Sequence, residues 1–164
     1  MSKVRLLDFC KADAADVNRV ALAAFDQYKA HYADWPAMAS TVGRMATLAG
    51  TAAIIVAMLD DEIVGAVAYV PPGRAKAPYF DRAWPVIRML VVDPNHRGRG
   101  TGRALTEDCL ARARRDGSAV IALHTSPIMT VALSMYLRMG FKLIREAPAI
   151  YGVPYGVYLK NLRP

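Results

Sequence analysis

Three glycines in five positions, within Arg97-Gly98-Arg99-Gly100-Thr101-Gly102, separate the apolar run Ile87-Arg88-Met89-Leu90-Val91-Val92 from a helical stretch over 103–115. Alternate glycines leave little to hold a ligand away from the backbone, and a helix starting there presents free N–H groups to an anion. Such a sequence has to place a strand, a tight turn and a helix in immediate succession. The spacing predicts a pyrophosphate cradle.

The remaining pattern frames that unit. Residues 4–7 read as a short strand, and Asp13 as the N-cap of a helix whose Val17, Val20, Leu22, Ala24, Phe25 and Tyr28 share one side. Pro36 opens a second helix carrying Met38, Val42, Met45, Ala46 and Leu48 and closed by Gly50. Apolar, β-branched runs over 53–59 and 63–70, joined by Asp60-Asp61-Glu62, predict an antiparallel hairpin. Residues 73–85 form a polar and aromatic loop of a length that marks function or mobility in compact domains. The strand over 86–92, the glycine turn, the helix over 103–115 and a strand over 119–124 make a β-loop-α-β unit whose two strands are parallel neighbours. A helix over 128–139 and short strands over 141–145 and 156–159 follow, with the proline-bounded segment 148–154 between them.

At 164 residues, 54% of them hydrophobic and 21% charged, the protein is the size of one domain and able to build a core. Lys and Arg outnumber Asp and Glu by 21 to 14, which favours an anionic partner without choosing among a phosphorylated cofactor, nucleic acid, an acidic peptide or a membrane surface. Cys10 and Cys109 lie far apart, with no zinc-like or disulfide-like spacing, so no metal is expected. Charge at Lys3, Arg5 and Asp8 interrupts any signal-like apolar core, and the apolar stretch 52–59 is too short to span a bilayer. A reducing, cytoplasmic location and no membrane partner are the expectation.

Rival readings of the glycine turn fail on chemistry. A Walker loop ends in Gly-Lys-Ser/Thr, whereas Gly102 is followed by Arg103-Ala104. A dinucleotide fingerprint spaces its glycines G-x-G-x-x-G after a first strand, unlike this mid-sequence G-x-G-x-G. Arg-Gly nucleic-acid segments are repeated and disordered, and this one is short and wedged between a strand and a helix.

What remains, Arg97-x-x-Gly100-x-Gly102 preceded by Leu90-Val91-Val92-Asp93-Pro94-Asn95-His96, resembles the coenzyme A-binding motif of the GNAT superfamily of N-acetyltransferases. A second stretch, Ala132-Leu133-Ser134-Met135-Tyr136-Leu137-Arg138-Met139-Gly140-Phe141, resembles the family's later helix and the Gly-Phe that starts its next strand. The resemblance implies a single α/β domain over 1–164, with a mixed, mostly antiparallel sheet flanked by helices and a splayed pair of parallel strands.

It also implies roles for residues. Backbone N–H groups over 97–103, with Gly98, Gly100, Thr101 and Gly102 in the turn and Arg97, Arg99 and Arg103 adding charge, would hold the acetyl-CoA pyrophosphate. Arg112, Arg114 and Arg115 read instead as a solvated basic face. Backbone groups around Leu90, Val91 and Val92 would pair with pantetheine and stabilise the developing oxyanion. Tyr136 matches the tyrosine that protonates the departing thiolate.

The sequence departs from the family at two points. Val86 to Val92 contains no glutamate to serve as general base, Arg88 being its only charge, and Met129 stands where an asparagine often contacts the cofactor. His124 leads the candidates for a base by position and by titration near neutrality, against the reading of a hydrogen-bonded structural histidine. Asp81 and Glu62 are weaker candidates, and the amine's own deprotonated fraction is an alternative to any base.

Tyr28, Tyr32, Trp35, Tyr79 and Trp84, with Phe80, fall where the family forms its acceptor site, and Tyr151 and Tyr155 are placed to edge that pocket or a homodimer contact. The expected function is acetyl transfer from acetyl-CoA to the amine of a small molecule by direct attack in a ternary complex. Acceptance of a protein lysine or N-terminus, acyl-CoA binding without turnover, and nucleic-acid binding through the basic excess are the alternatives; the preferred reading carries no nucleic-acid partner.

Overall fold

A computed structural model describes residues 3–163. It contains a seven-stranded sheet in the order β1-β2-β3-β4-β5-β7-β6. The strands are β1 (Arg5–Asp8), β2 (Ala53–Leu59), β3 (Glu62–Val70), β4 (Val86–Val92), β5 (Val120–Thr125), β6 (Lys142–Ile150) and β7 (Val153–Asn161). The helices are α1 (Ala14–Phe25), α2 (Trp35–Val42), α3 (Thr101–Arg115) and α4 (Thr130–Arg138). Among the described residues only β4 and β5 pair in parallel; the other neighbours are antiparallel. This is the mixed, mostly antiparallel α/β architecture anticipated from the motifs.

Alternation along the strands, reset where the β2–β3 and β3–β4 registers shift, divides the core between the sheet faces. Ile54, Val56, Ala66, Ala68 and Val91 pack with Val17, Val20, Ala21, Met38 and Val42 of α1 and α2. Ile55, Ala57, Val64, Val67, Ile87, Ile121 and Leu123 pack on the opposite face with Leu105, Cys109 and Ala113 of α3 and Tyr136 of α4. Because both faces are covered, β2 and β3 are apolar almost throughout. The β2–β3 turn uses two aspartates at positive φ, Asp60 (50°) and Asp61 (68°), matching the twist that a two-residue hairpin requires.

Several expectations are corrected. The second helix stops at Val42, and residues Met45–Gly50 continue as a separate 3-10 turn. Gly43 stands at that break, where a Cβ would meet Leu22 Cδ1 of α1 and the Ala39 carbonyl at 3.1 Å, so the close approach of α1 overrides helical periodicity. Leu22 itself is exposed, and Asp13 accepts from the Cys10 N–H at 3.0 Å instead of capping α1.

Helix α3 begins at Thr101 and α4 at Thr130, each two residues from the expected start. The last two strands run much longer than expected, through Pro148 and Pro154. Their register jumps from Ala147↔Tyr155 to Ile150↔Val153, so both prolines sit in an irregular patch of an edge pairing that needs no donor from them. Arg112 is no solvated charge: its guanidinium bonds Asp108 and Asp8, each at 2.8 Å, tying α3 to β1.

No helix among the described residues is long and apolar enough to cross a membrane.

Candidate active site

The parallel pairing of β4 with β5 ends after Val86↔Ala122 and Ile87↔Leu123. Beyond it, β4 bulges. Ala68 faces Arg88 and Ala66 faces Val91, so Met89 and Leu90 share the place opposite Val67, with Met89 at φ 57°. A bulge bends its strand, and here the two parallel strands part. From Arg88 onward the β4 backbone has no strand partner on its β5 side.

Two cavities meet at this parting. The larger, about 600 Å³, is bordered by Arg88, Met89, Leu90, Leu123, His124, Tyr136 and the loop residues Lys76, Tyr79 and Phe80. The smaller, about 440 Å³, runs from Leu90 and Val92 to Arg97, Gly98, Gly100, Thr101, Gly102 and Arg103. Phe25, Leu90, Met129 and Ala132 border both, so the two cavities adjoin as the two ends of a cleft.

The glycine turn has the geometry of an anion cradle. The first hydrogen bond of α3 runs from the Ala104 N–H to the Gly100 carbonyl at 2.9 Å, which leaves the N–H groups of Thr101, Gly102 and Arg103 without helical partners. Gly98 and Gly100 adopt φ of 78° and 77°, and a Cβ on either would meet nothing within 4 Å. They are glycines for their backbone conformation and face open space. The Thr101 hydroxyl is buried without a partner at the same helix start. Free donors, room and a positive helix end suit a pyrophosphate. Asp93 steadies the approach by accepting the Asn95 N–H at 2.9 Å and lying 3.7 Å from Arg19.

The arginines separate. Arg97 and Arg103 border the smaller cavity but already bond Gln27 at 3.1 Å and Glu107 at 2.9 Å, whereas Arg99 borders neither cavity. Val91 is turned into the core under α1, while Leu90 and Val92 face the cleft.

Tyr136 forms part of the larger cavity's wall with only 5% of its surface exposed, its ring edge-on to Phe141 at 5.6 Å. Burial pushes its hydroxyl well above the usual phenol range, which keeps the proton in place. His124 lies among Tyr155, Tyr79 and Phe80 at centroid distances of 5.0, 5.4 and 6.0 Å. Burial first, and the nearby Arg88 charge second, push the imidazole down to about 4. At neutral pH it is an uncharged ring in an aromatic wall.

Of the five aromatics assigned to the acceptor site, Tyr79 borders the larger cavity and Tyr28 the smaller. Tyr32 and Trp35 line neither; Tyr32 shares a buried hydrogen bond with Tyr155, and Trp35 packs against Tyr32. Trp84 also lies off both walls, under the Arg145 guanidinium. Glu62 is exposed at the hairpin, and Asp81 caps its own loop at the Ala83 N–H. Tyr151 and Tyr155 do border the larger cavity.

Two charged residues of the larger cavity's wall had no role assigned from sequence, Arg88 and Lys76. The signal for Arg88 was present, a lone charge in an apolar strand, but its direction depends on the bulge. Among the described residues, no carboxylate borders either cavity and no cluster of three or more metal-ligating groups occurs.

Comparison with known proteins agrees with this geometry. N-acetyltransferase 8B of Mus musculus is 37% identical over 87 residues, an alignment covering 53% of the present sequence and 36% of the mouse protein, so the match spans little more than a third of that relative. The solved structure of a Pyrococcus horikoshii protein superposes with a TM-score of 0.78 at 19% identity, covering 99% of the present sequence and all of its own. A GNAT family acetyltransferase from Brucella melitensis, solved in complex with acetyl-CoA, gives a TM-score of 0.66 at 22% identity, covering 99% of the present sequence and 90% of its own. The model of the acetyltransferase (GNAT) family matches residues 14–141, spanning the glycine turn, the parted strands and Tyr136, and the protein belongs to that family.

Proposed function

We propose that this protein transfers an acetyl group from acetyl-CoA to the amine of a small molecule within a ternary complex. The observation that carries the reading is the pair of adjoining cavities: a glycine turn with free N–H donors at one end, an aromatic wall at the other, and Tyr136 beyond the residues they share. Acetyl-CoA, when bound, supplies the activated acetyl thioester.

The N–H groups of Thr101, Gly102 and Arg103, free of helical partners, would hold its pyrophosphate, and the β4 edge beyond Ile87, unpaired on its β5 side, would be open to its pantetheine arm. Backbone donors near Leu90 and Val91 stabilise negative charge on the carbonyl oxygen. Tyr136 Oη keeps its proton until a thiolate departs and then gives it up.

The absence of a carboxylate from both walls bears on the incoming amine. Arg88 disfavours a second positive charge in the larger cavity, so an ammonium entering there loses its proton more readily than in water. His124, its imidazole pushed down to about 4 by burial and by Arg88, is too weak a base to retain that proton at physiological pH. The same lack of a carboxylate favours a second reading, acyl-CoA binding without turnover.

Calorimetry with acetyl-CoA, followed by a thiol assay for CoA release across a panel of amines, separates the two. Amine-dependent release is expected. Binding without release supports the second reading, and no binding by folded protein overturns both.

A further inference from the structure

The larger cavity carries charge of one sign: among the described residues its border contains two cations, Arg88 and Lys76, and no acid. The two are not equivalent. Lys76 Nζ bonds the carbonyls of Pro71, Arg74 and Arg82 at 2.8, 2.9 and 3.0 Å, which uses all three of its donors to tie the loop together. Arg88 makes no ion pair within 4 Å and no side-chain hydrogen bond among the described residues. It stands on β4 one residue past the last parallel pair, close enough to His124 and Tyr79 for its charge to act on both.

A free guanidinium is a planar fork of donors suited to a carboxylate. Around it the wall is aromatic and apolar: Tyr79, Phe80, Tyr155, Met38, Val42 and Ile150. We propose that the acceptor is an amino acid with an apolar or aromatic side chain, and that Arg88 determines this specificity by pairing with its carboxylate. This rests on the acetyl-transfer reading. The cavity rejects di- and polyamines, whose second ammonium would meet Arg88 with no acid to receive it, and the aromatic wall receives the apolar or aromatic substituent.

The test uses matched pairs, L-phenylalanine against phenylethylamine and L-leucine against isoamylamine, with acetyl-CoA as donor. In at least one pair kcat/KM is expected to favour the carboxylate-bearing member by about tenfold or more, as befits a charge-assisted hydrogen bond in place of none. Arg88→Met should bring that ratio close to one, mainly through KM, and Arg88→Lys should restore part of it. Equal or better use of the carboxylate-free member in every pair overturns the inference and leaves acetyl transfer standing. A preference that survives Arg88→Met also overturns it.

If no amine brings about release of CoA from acetyl-CoA, the acetyl-transfer reading fails instead. The pairing is then read by titrating the two amino acids into CoA-loaded protein. Binding that Arg88→Met abolishes supports the pairing, and absent or unaffected binding overturns it.

Discussion

The imidazole of His124 lies 5.0 Å from the ring of Tyr155, their planes inclined by 32°, and the Tyr155 hydroxyl is bonded in turn to Tyr32. β5, β7 and the segment after α1 therefore meet through three polar aromatics, none of which carries a charge at neutral pH.

That arrangement makes stability sensitive to acid. The folded protein holds His124 at about 4 against the ordinary 6.5, so between those values the unfolded state binds more protons. Stability from this group is complete above 6.5 and is lost as pH falls toward 4. Lowering pH from 7.5 to 5 should cost about 2 kcal/mol through His124, a loss that His124→Phe removes. Urea unfolding of both proteins at the two pH values measures it, and equal losses would refute it.

The pH dependence of the rate should also lack a histidine inflection. With His124 neutral throughout the physiological range, log kcat/KM is expected to climb with deprotonation of the acceptor amine and to show no bend near 6.5. A bend there that disappears in His124→Gln would identify His124 as a working base.

Tyr136→Phe separates catalysis from binding. Loss of one buried hydroxyl removes the proposed proton donor while keeping the ring against Phe141, so kcat should fall by about 100-fold. The acetyl-CoA dissociation constant, measured by calorimetry, should change by less than about threefold, since the proposed pyrophosphate site lies elsewhere, at the start of α3.

The glycines of the cradle should differ in their tolerance. Gly100→Ala forces a Cβ onto a residue at φ 77° and should lower stability by about 1–2 kcal/mol. Gly102 has an ordinary φ, and its Cβ would meet Val92, Leu90 and Met135 at 3.7–3.9 Å. Gly102→Ala should leave stability within about 1 kcal/mol of the parent or raise it. Thermal unfolding of the two variants decides.

Tyr69 donates to the Asp116 carboxylate at 2.7 Å, fastening the C-terminus of α3 to β3. Tyr69→Phe should cost about 1–2 kcal/mol of unfolding free energy. The cleft lies at the other end of α3, so acetyl-CoA affinity should be unaltered, which calorimetry on the same variant checks.

Much of the frame was readable because the signals were local. Strands β2, β3 and β4 alternate or run apolar between turn residues, and the glycine turn marks where α3 starts. The errors arose where long-range contacts overrode local preference. Gly43 breaks a periodic helix because α1 lies against it, and Pro148 and Pro154 lie inside strands because the edge pairing steps past them. Arg112 read as surface charge because Asp8, the partner that ties it to β1 beyond its own helix neighbour Asp108, lies 104 residues away.

The sequence by itself determined the glycine turn proposed to hold the cofactor, since turn and helix start are made of consecutive backbone whose conformation depends on glycine. Only the tertiary structure decided the larger cavity, the proposed acceptor end. Arg88, His124, Tyr79 and Tyr155 come from two neighbouring strands, a loop and a third strand, and they converge because β4 bulges at Met89 and parts from β5. Which polar groups a cavity leaves unpaired depends on every element that packs around it, and no window of sequence contains that information.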